Sequence, residues 1–363
     1  MTGRFHGIDG LRAFAVVAVI AAHAHVPWFH GGGVGVEVFF GISGFLITYL
    51  LIQEQKKNGR IALGLFWLRR LVRLMPALIL LLVCINGFAI VIAPFTSNDY
   101  LNQSVIATPS VLFYFANWMV VATNSAFLGW FGPLWSLSVE EQFYFVWPIV
   151  VLLCFRFKHS LRVIGTAAAV IATGATINRF VIFDGTNLYR TFGTDFRVDM
   201  LLAGVLLAVG LHAGGAPVIR RVSKVLAGPA ALFLLVICVI VPDFPSADSP
   251  DGARLYYTLG LPFVALATVS VIGYLVTHQS GRVVRVLSWR PLEYTGQISY
   301  GMYLWHYPVV ELLRAAVSNT TLIFVLCMLG TYIAATLSWV LVEQPLQRRF
   351  HQRLKPRATL VAT

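Results

Sequence analysis

The chain has 363 residues, of which 58% are hydrophobic and 12% charged, about half the charged share of an ordinary soluble domain. This composition excludes a soluble globular protein and indicates a protein that folds in a lipid bilayer. The net charge of +12 is also typical of nucleic-acid-binding proteins, but here the basic residues are separated by long apolar stretches and form no continuous patch. We therefore predict the bilayer, and no nucleic acid, as the partner of this surface.

Ten apolar stretches have the composition of membrane-spanning helices. They cover residues 11–26, 34–52, 74–93, 139–155, 163–183, 198–211, 225–241, 257–277, 298–317 and 322–342. With ten crossings, 22 of the 27 Lys and Arg residues lie in segments on the cytoplasmic side, and both termini are cytoplasmic. An eleventh stretch, 110–127, lies in a loop, 94–138, that contains no Lys or Arg. We predict an all-α polytopic transmembrane helical bundle in which residues 110–127 are re-entrant, interfacial or folded against the bundle.

The expected domain organisation is a membrane-embedded bundle at 1–347 followed by a basic cytoplasmic tail at 348–363. We expect a multi-pass protein of the inner (plasma) membrane. Arg4, Arg12 and an Ala22-His23-Ala24 site also fit a cleaved secretory signal, but the polytopic remainder of the chain needs none. The four cysteines lie singly in apolar stretches, so we predict small core residues and no metal site.

Arg12 and His23 bracket the apolar run 13–22. On a helix, their spacing of eleven residues corresponds to about 16 Å, which places one near a membrane face and the other past mid-depth. Ionisable residues inside a membrane are usually functional, so both are candidate site residues. A simple Asp9–Arg12 pair at i,i+3 is the structural alternative.

Arg69, Arg70 and Arg73 stand at the start of the third predicted span. Helical spacing gathers the three guanidinium groups on one side, where they can hold phosphates. The alternative is that these basic residues serve only membrane topology or lipid head groups. Spacing alone leaves both interpretations open.

A third candidate segment leads from the outer loop into the span at 139–155. Ser138 and Glu141 have the spacing of a capping box, which gives Glu141 a structural role at a helix start. Glu140 is not explained in this way. A carboxylate just inside an apolar helix needs a partner, and His23 at similar depth is the obvious one. A solvated Glu140 that faces the loop is the alternative.

The last candidate segment carries Tyr300, Tyr303 and Tyr307 on one helix face, with His306 beside the last of them. Such a belt is typical of aromatic anchoring at a membrane interface, and it is also compatible with a site.

The ordered set of these motifs resembles the bacterial integral-membrane acyltransferase family 3. The residues that carry the resemblance are Ile8-Asp9-Gly10-Leu11-Arg12 with His23, Gly35-Val36-Glu37-Val38-Phe39-Phe40 with Ser43-Gly44, Arg70-Leu71-Val72-Arg73, Trp135-Ser136-Leu137-Ser138-Val139-Glu140, Ser299-Tyr300 with Tyr303-Leu304-Trp305-His306 and Pro308, and Glu343-Gln344-Pro345. Together they extend over nearly the whole chain.

The resemblance implies an O-acyltransferase. It would move an acyl group, expected to be acetyl, from cytoplasmic acyl-CoA to a hydroxyl of a carbohydrate, glycolipid or natural product. Acyl-CoA, most plausibly acetyl-CoA, is then a co-substrate, and no tightly bound cofactor is expected. Larger relatives in this family carry an additional extracytoplasmic esterase-like domain. We expect this bundle to acylate the acceptor itself, the alternative being transfer completed by a separate protein.

By the same resemblance, the predicted catalytic residues are His23, Glu140 and Arg12. Arg70, Arg73 and Arg69 are predicted to bind the CoA phosphates, and Trp135, Tyr300 and His306 to bind the acceptor. His23 would act as a general base or as a transient acyl carrier, with Glu140 orienting its ring.

Two other classes use the same buried His/Glu/Arg set. One is a proton-coupled membrane transporter, and the other is a catalytically silent subunit whose ionisable residues only hold helices together.

Overall fold

The computed structural model describes residues 5–92, 99–125, 127–240 and 250–354, and within these ranges all regular structure is helical. The α-helices are α1 Ile8–His23, α2 Val34–Asn58, α3 Leu63–Ile92, α4 Asp99–Leu112, α5 Ala116–Thr123, α6 Trp135–Cys154, α7 Ser160–Ile182, α8 Thr194–His212, α9 Ala216–Ile240, α10 Pro250–Leu255, α11 Leu261–Thr277, α12 Arg282–Leu287, α13 Arg290–Gln297, α14 Ser299–Arg314, α15 Thr320–Ser338 and α16 Gln344–Leu354. Short 3₁₀ segments occur at Gly31–Gly33, Gly129–Leu134 and Leu188–Phe192, and π segments at Tyr256–Gly260 and Trp339–Glu343. The all-α prediction is confirmed.

A helix lies at each of the ten predicted spans. Seven helical stretches of the described chain are long and apolar enough to cross a membrane: Gly31–Asn58, Leu63–Ile92, Gly129–Cys154, Ser160–Ile182, Ala216–Ile240, Asp251–Thr277 and Thr320–Arg353. The other three predicted spans coincide with α1, α8 and α14. Helices α1 and α14 have only 16 residues each, and α8 carries the three charged residues Asp195, Arg197 and Asp199. Even so, the chain is a polytopic helical bundle.

The outward faces of the outer helices explain why the medium must be lipid. Only 17% of the most apolar part of α7 and 22% of that of α9 is buried against protein. Large apolar side chains such as Val181 and Ile240 therefore stand more than two-thirds exposed. A contiguous apolar surface of this kind is unfavourable in water and favourable against acyl chains.

Residues 110–127 do not form one helix. Helix α4 ends at Leu112, Tyr114 adopts a left-handed conformation with φ of 55°, and the eight-residue α5 follows. Neither piece of this stretch is long enough to cross a bilayer. The backbone N–H of Trp130 donates to Ser104 of α4 over 2.8 Å, and Asn117 of α5 donates to the carbonyl oxygen of Phe192 over 3.3 Å. The segment is folded against the bundle, and its re-entrant or interfacial placement in a membrane stays a prediction.

Helix α2 lies at the centre of the bundle and packs against α1, α6, α8 and α11. Glycines allow its backbone to approach α8 closely. A Cβ atom at Gly44 would lie 1.8 Å from the carbonyl oxygen of Leu201, and one at Gly204 would lie 2.1 Å from that of Gly41. Small residues at helix crossings are typical of membrane proteins, because close packing replaces the hydrophobic effect as the driving force.

Two buried ion pairs join α2, α7 and α8. Glu37 of α2 pairs with Arg197 of α8, and their side chains are 3% and 5% exposed. Arg179 of α7 binds Asp199 of α8 through both guanidinium nitrogens, at 3.1 and 2.6 Å. Charges at such depth persist in a bundle only when they are paired.

Some predicted features extend outside the described residues. These are the last residues of the spans at 74–93 and 225–241, positions 94–98 and 126 of the outer loop, and 355–363 of the predicted tail. The tail prediction at 348–363 begins inside α16. Of the four cysteines, Cys154, Cys238 and Cys327 are buried as predicted, whereas Cys84 is exposed on α3.

Candidate active site

Helix α1 carries Arg12 near its start and His23 as its last residue. The guanidinium Nε of Arg12 donates to the hydroxyl oxygen of Ser299, at the start of α14, over 3.2 Å. The same guanidinium lies 5.5 Å from the ring centre of Phe39 on α2. The predicted separation of the two ionisable groups along one helix is therefore present, and each belongs to a different part of the site.

A cavity of about 150 Å³ lies between α1, α2, α3, α6 and α14. Its charged lining residues are Arg12, Arg70, Arg73, Glu140 and Glu141. Aromatic rings of Phe39, Phe40, Phe66, Tyr114, Tyr144, Tyr300 and Tyr303 form much of the remaining wall. We call this space the arginine cavity.

The arginines of the third span do not all reach this cavity. Arg70 and Arg73 line it, but Arg69 is exposed and is not one of its lining residues. The reason is helical geometry, since consecutive residues point about 100° apart. The third guanidinium group in the cavity belongs to Arg12. The cavity therefore has three guanidinium groups, two from α3 and one from α1, instead of the three from α3 that the sequence predicts.

The position of Arg70 leaves part of its hydrogen-bonding capacity unused. Its guanidinium carbon lies 3.3 Å from the ring centre of Tyr144 on α6, a cation–π contact. Its Nε is buried and has no hydrogen-bond partner among the residues that the structure describes. A buried guanidinium N–H without a partner is costly, so a ligand anion that reached this nitrogen would gain a charged hydrogen bond.

Glu140 and Glu141 lie in the arginine cavity, on the second turn of α6. The hydroxyl of Ser43 on α2 donates to Glu140 Oε1. The capping-box prediction for Ser138 and Glu141 is wrong, because α6 begins at Trp135 and Ser138 lies inside the helix. Glu141 is therefore free of the capping role and lines the cavity beside Glu140.

His23 has a different ring partner from the one predicted. Its Nδ1 lies 3.3 Å from Nε2 of His306 on α14 and 3.0 Å from the carbonyl oxygen of Val19. Helix α14 packs directly on α1 and presents His306 to this ring, while Glu140 accepts from Ser43 in the arginine cavity, so the orienting of His23 by Glu140 stays a prediction. Arg314 also holds the backbone of His23 in place, because its guanidinium group donates to the His23 carbonyl oxygen over 2.6 Å.

Tyr303 lines the arginine cavity and also lies against His306. Its side chain lines the cavity, and its ring centre lies 5.4 Å from that of His306. Its hydroxyl donates to the carbonyl oxygen of Pro133 over 2.7 Å and lies 2.6 Å from the hydroxyl of Ser136. The tyrosine face of α14 thus points into the bundle, and the interfacial-anchor alternative does not describe it.

The three residues predicted to bind an acceptor lie in three different places. Tyr300 lines the arginine cavity and donates to the carbonyl oxygen of Leu74 over 3.1 Å. His306 contacts His23. Trp135 is buried outside the cavity, and its ring centre lies 5.1 Å from the guanidinium of Arg197.

Tyr114 is the one lining residue that belongs to the turn between α4 and α5. Burial raises the pKa of its phenol above the ordinary value, so the hydroxyl stays protonated at neutral pH. Its left-handed backbone is a conformation that L-residues other than Asn and Asp seldom adopt.

Sequence reasoning missed Ser43, Tyr144 and Arg314. Ser43 stands inside the motif at 35–44, and Tyr144 follows Glu140 by one helical turn, so both had a signal. Arg314 contacts His23 across 291 residues of sequence, and no local pattern indicates that contact.

Comparison with known proteins supports the family that the sequence motifs resemble. The sequence profile of the acyltransferase domain of family 3 matches residues 5–340. The chain is 33% identical over 355 residues to the peptidoglycan O-acetyltransferase OatA of Listeria monocytogenes. The alignment covers 94% of this chain and 55% of that protein. It is 32% identical to the O-acetyltransferase OatA of Staphylococcus aureus, over 94% of this chain and 57% of that protein. The chain thus spans about half the length of the curated relatives that it matches.

No solved structure matches the chain. The profile match extends over α1 to α15 and includes every residue that lines the arginine cavity, as well as both histidines. The chain is therefore a member of the integral-membrane acyltransferase family 3.

Proposed function

We propose that the chain is a membrane-bound O-acetyltransferase of the plasma membrane. It transfers an acetyl group from cytoplasmic acetyl-CoA to a hydroxyl of a carbohydrate, and we take cell-wall glycan as the acceptor class. Family membership and the names of the relatives support the reaction class. The single observation that carries the proposal is the arginine cavity, which Arg12 of α1 and Arg70 and Arg73 of α3 line together.

The donor end of the proposed reaction is the arginine cavity. Guanidinium groups bind phosphates through parallel N–H donors, and Arg12, Arg70 and Arg73 place three such groups on the wall of the cavity. In this proposal the phosphates stay at the rim of the arginine cavity, and the pantetheine arm extends between the aromatic walls towards Tyr303. Tyr300 lies beside Arg73 and Leu74, so we assign it to the donor rather than to the acceptor.

The carboxylates take a different role from the one that their sequence suggested. Glu140 and Glu141 face the same cavity as the arginines. We assign them as counter-charges that keep the guanidinium groups paired electrostatically when no phosphate is bound. Ser43 holds Glu140 in this position through its hydroxyl.

The reacting base in this proposal is His23. Its imidazole accepts the proton of the acceptor hydroxyl while the hydroxyl oxygen attacks the thioester carbonyl carbon. The carbon–sulfur bond then breaks, and the departing CoA sulfur receives the proton from the imidazolium. In the two-step version an imidazole nitrogen attacks the thioester carbonyl carbon, the carbon–sulfur bond breaks and CoA leaves as the thiolate. The acceptor hydroxyl oxygen then attacks the acetyl carbon, the carbon–nitrogen bond breaks, and the hydroxyl proton is released to water, which gives ping-pong kinetics. Both versions need a path from the cavity to His23, and we assign it to Tyr303, which lines the cavity and packs against the ring of His306.

The test uses purified chain in lipid nanodiscs, acetyl-CoA and a soluble peptidoglycan fragment, with the acetylated product measured by mass spectrometry. We expect His23→Asn to lower kcat by about 100- to 10,000-fold, because a general base is lost. His25→Asn is the matched control, since His25 is exposed just beyond the end of α1 and Asn tolerates its positive φ. It should retain wild-type kcat.

The donor site has its own matched pair of variants. Arg73→Ala should raise the KM for acetyl-CoA by about 10- to 100-fold, the value of a lost charged hydrogen bond. Arg69→Ala removes a neighbouring arginine outside the cavity and should leave this KM unchanged. Equal effects of the two arginine variants, or no CoA-dependent product from the wild type, would overturn the proposal.

A further inference from the structure

The contact between His23 and His306 joins a half-buried imidazole to one that is fully buried. The two ring centres lie 5.1 Å apart. The ring of His306 is held by its own helix, because its Nδ1 lies 2.6 Å from the carbonyl oxygen of Tyr303. Helix α15 contacts only the backbone of this residue, through the Cys327 thiol at 3.6 Å from the His306 carbonyl oxygen.

These contacts determine which nitrogen of each ring carries the proton. A backbone carbonyl only accepts hydrogen bonds, so His306 Nδ1 must carry a hydrogen. In a neutral imidazole the other nitrogen, Nε2, then holds the lone pair and accepts. His23 Nδ1 faces two acceptors, this Nε2 at 3.3 Å and the carbonyl oxygen of Val19 at 3.0 Å. It must therefore be the donor, and the lone pair of neutral His23 lies on its Nε2.

We propose that His306 is a positioning residue that holds His23 in the Nδ1–H tautomer, with Nε2 as the reacting nitrogen. This inference rests on the proposed function of His23. The Val19 carbonyl belongs to the same helix as His23, so it orients the ring within α1 only. His306 adds a contact from α14, which fixes the His23 ring relative to that second helix.

The same contact stabilises the charge that forms during the reaction. When His23 Nε2 takes the hydroxyl proton, the ring becomes an imidazolium whose Nδ1–H points at the lone pair of His306. A hydrogen bond from a charged donor is roughly twice as strong as a neutral one. This is the role of the carboxylate in a His–Asp pair, performed here by a neutral ring that needs no buried countercharge.

Two substitutions separate positioning from packing. His306→Gln places an amide oxygen near the former Nε2, where it accepts from His23 Nδ1–H. His306→Asn ends short of that position. We expect the Asn variant to lower kcat by about 10- to 100-fold with an unchanged KM for acetyl-CoA, and the Gln variant to recover most of the loss. Cys327→Ala, which removes a contact to the backbone of His306, should leave kcat unchanged.

Each alternative has its own result. A rise in the KM for the acceptor at constant kcat would make His306 an acceptor contact and overturn the inference. Equal losses of kcat and thermal stability in both variants, with no recovery by Gln, would reduce His306 to packing. If His23→Asn stays active, the proposed function itself fails.

A measurement on the wild type avoids any folding defect of the variants. Nitrogen-15 NMR of histidine-labelled protein distinguishes a protonated from a lone-pair nitrogen in each ring. We expect His23 to show protonated Nδ1 and lone-pair Nε2. The opposite tautomer in the wild type would overturn the inference.

Discussion

The buried ion pair between Glu37 and Arg197 gives a sharp test of how this bundle is held together. Arg197 has further contacts: its Nε donates to the carbonyl oxygen of Thr191 over 2.7 Å, and it lies 5.1 and 5.0 Å from the ring centres of Trp135 and Tyr257. None of these neutralises its charge. The substitution Glu37→Gln keeps the shape of the side chain and removes only the negative charge.

The expected cost follows from burial. Both side chains are at most 5% exposed, so solvent does not replace the lost partner. Removing one member of such a pair destabilises a protein by about 3–5 kcal/mol, because an uncompensated charge stays buried. The double variant Glu37→Gln and Arg197→Gln leaves no unpaired charge. We therefore expect it to cost less than the sum of the two single variants, with a coupling free energy of about 2 kcal/mol or more.

The assay is the free energy of unfolding in bicelles, measured by steric trapping. The control is Asp195→Asn, which breaks the Arg190–Asp195 pair, whose side chains are 21% and 38% exposed. That variant should cost at most about 1 kcal/mol. The reasoning is refuted if Glu37→Gln costs no more than the control, or if the two single variants of the buried pair are additive.

Three further outcomes are expected. Gly44→Ala should destabilise the protein by about 1–3 kcal/mol or more, because its Cβ would meet the Leu201 carbonyl oxygen. Gly174→Ala, with open space at its Cβ, should be neutral or stabilising. Equal melting temperatures of the two variants would contradict this. Arg314→Ala should lower kcat with little change in KM, because the backbone of His23 loses the contact that holds it. A change in KM alone would refute that role. Tyr144→Leu should raise the KM for acetyl-CoA by about 2- to 5-fold through lost cation–π support of Arg70, and Tyr144→Phe should not.

The placement of the arginines illustrates how far the sequence alone leads. Charge counting assigns 22 of the 27 Lys and Arg residues to cytoplasmic segments and leaves five exceptions. The exceptions are Arg179, Arg190, Arg197, Arg254 and Arg314. In the structure, four of these pair with a carboxylate: Arg179 with Asp199, Arg190 with Asp195, Arg197 with Glu37, and Arg314 with Glu311. Most residues that depart from the charge rule are thus paired with a carboxylate, and the pairs of Arg179 and Arg197 are buried inside the bundle.

Only some of those pairings follow from local spacing. Glu311 and Arg314 are three residues apart on one helix, a separation that helical geometry predicts. Glu37 and Arg197 are separated by 160 residues, and their meeting depends on the crossing of α2 and α8. Glycines at 44 and 204 allow that close crossing.

The sequence by itself determined the features that depend on local physics. Apolar length and the placement of Lys and Arg indicate the helices and the membrane, the ordered motifs indicate the family, and the spacing of Arg12 and His23 places both on one helix. The tertiary structure decided which polar groups meet. It put Arg12 in the position expected for Arg69, Glu140 with Ser43, and His306 against His23. Those contacts depend on how each helix is rotated and packed, and that is set by side chains and backbones far apart in the chain.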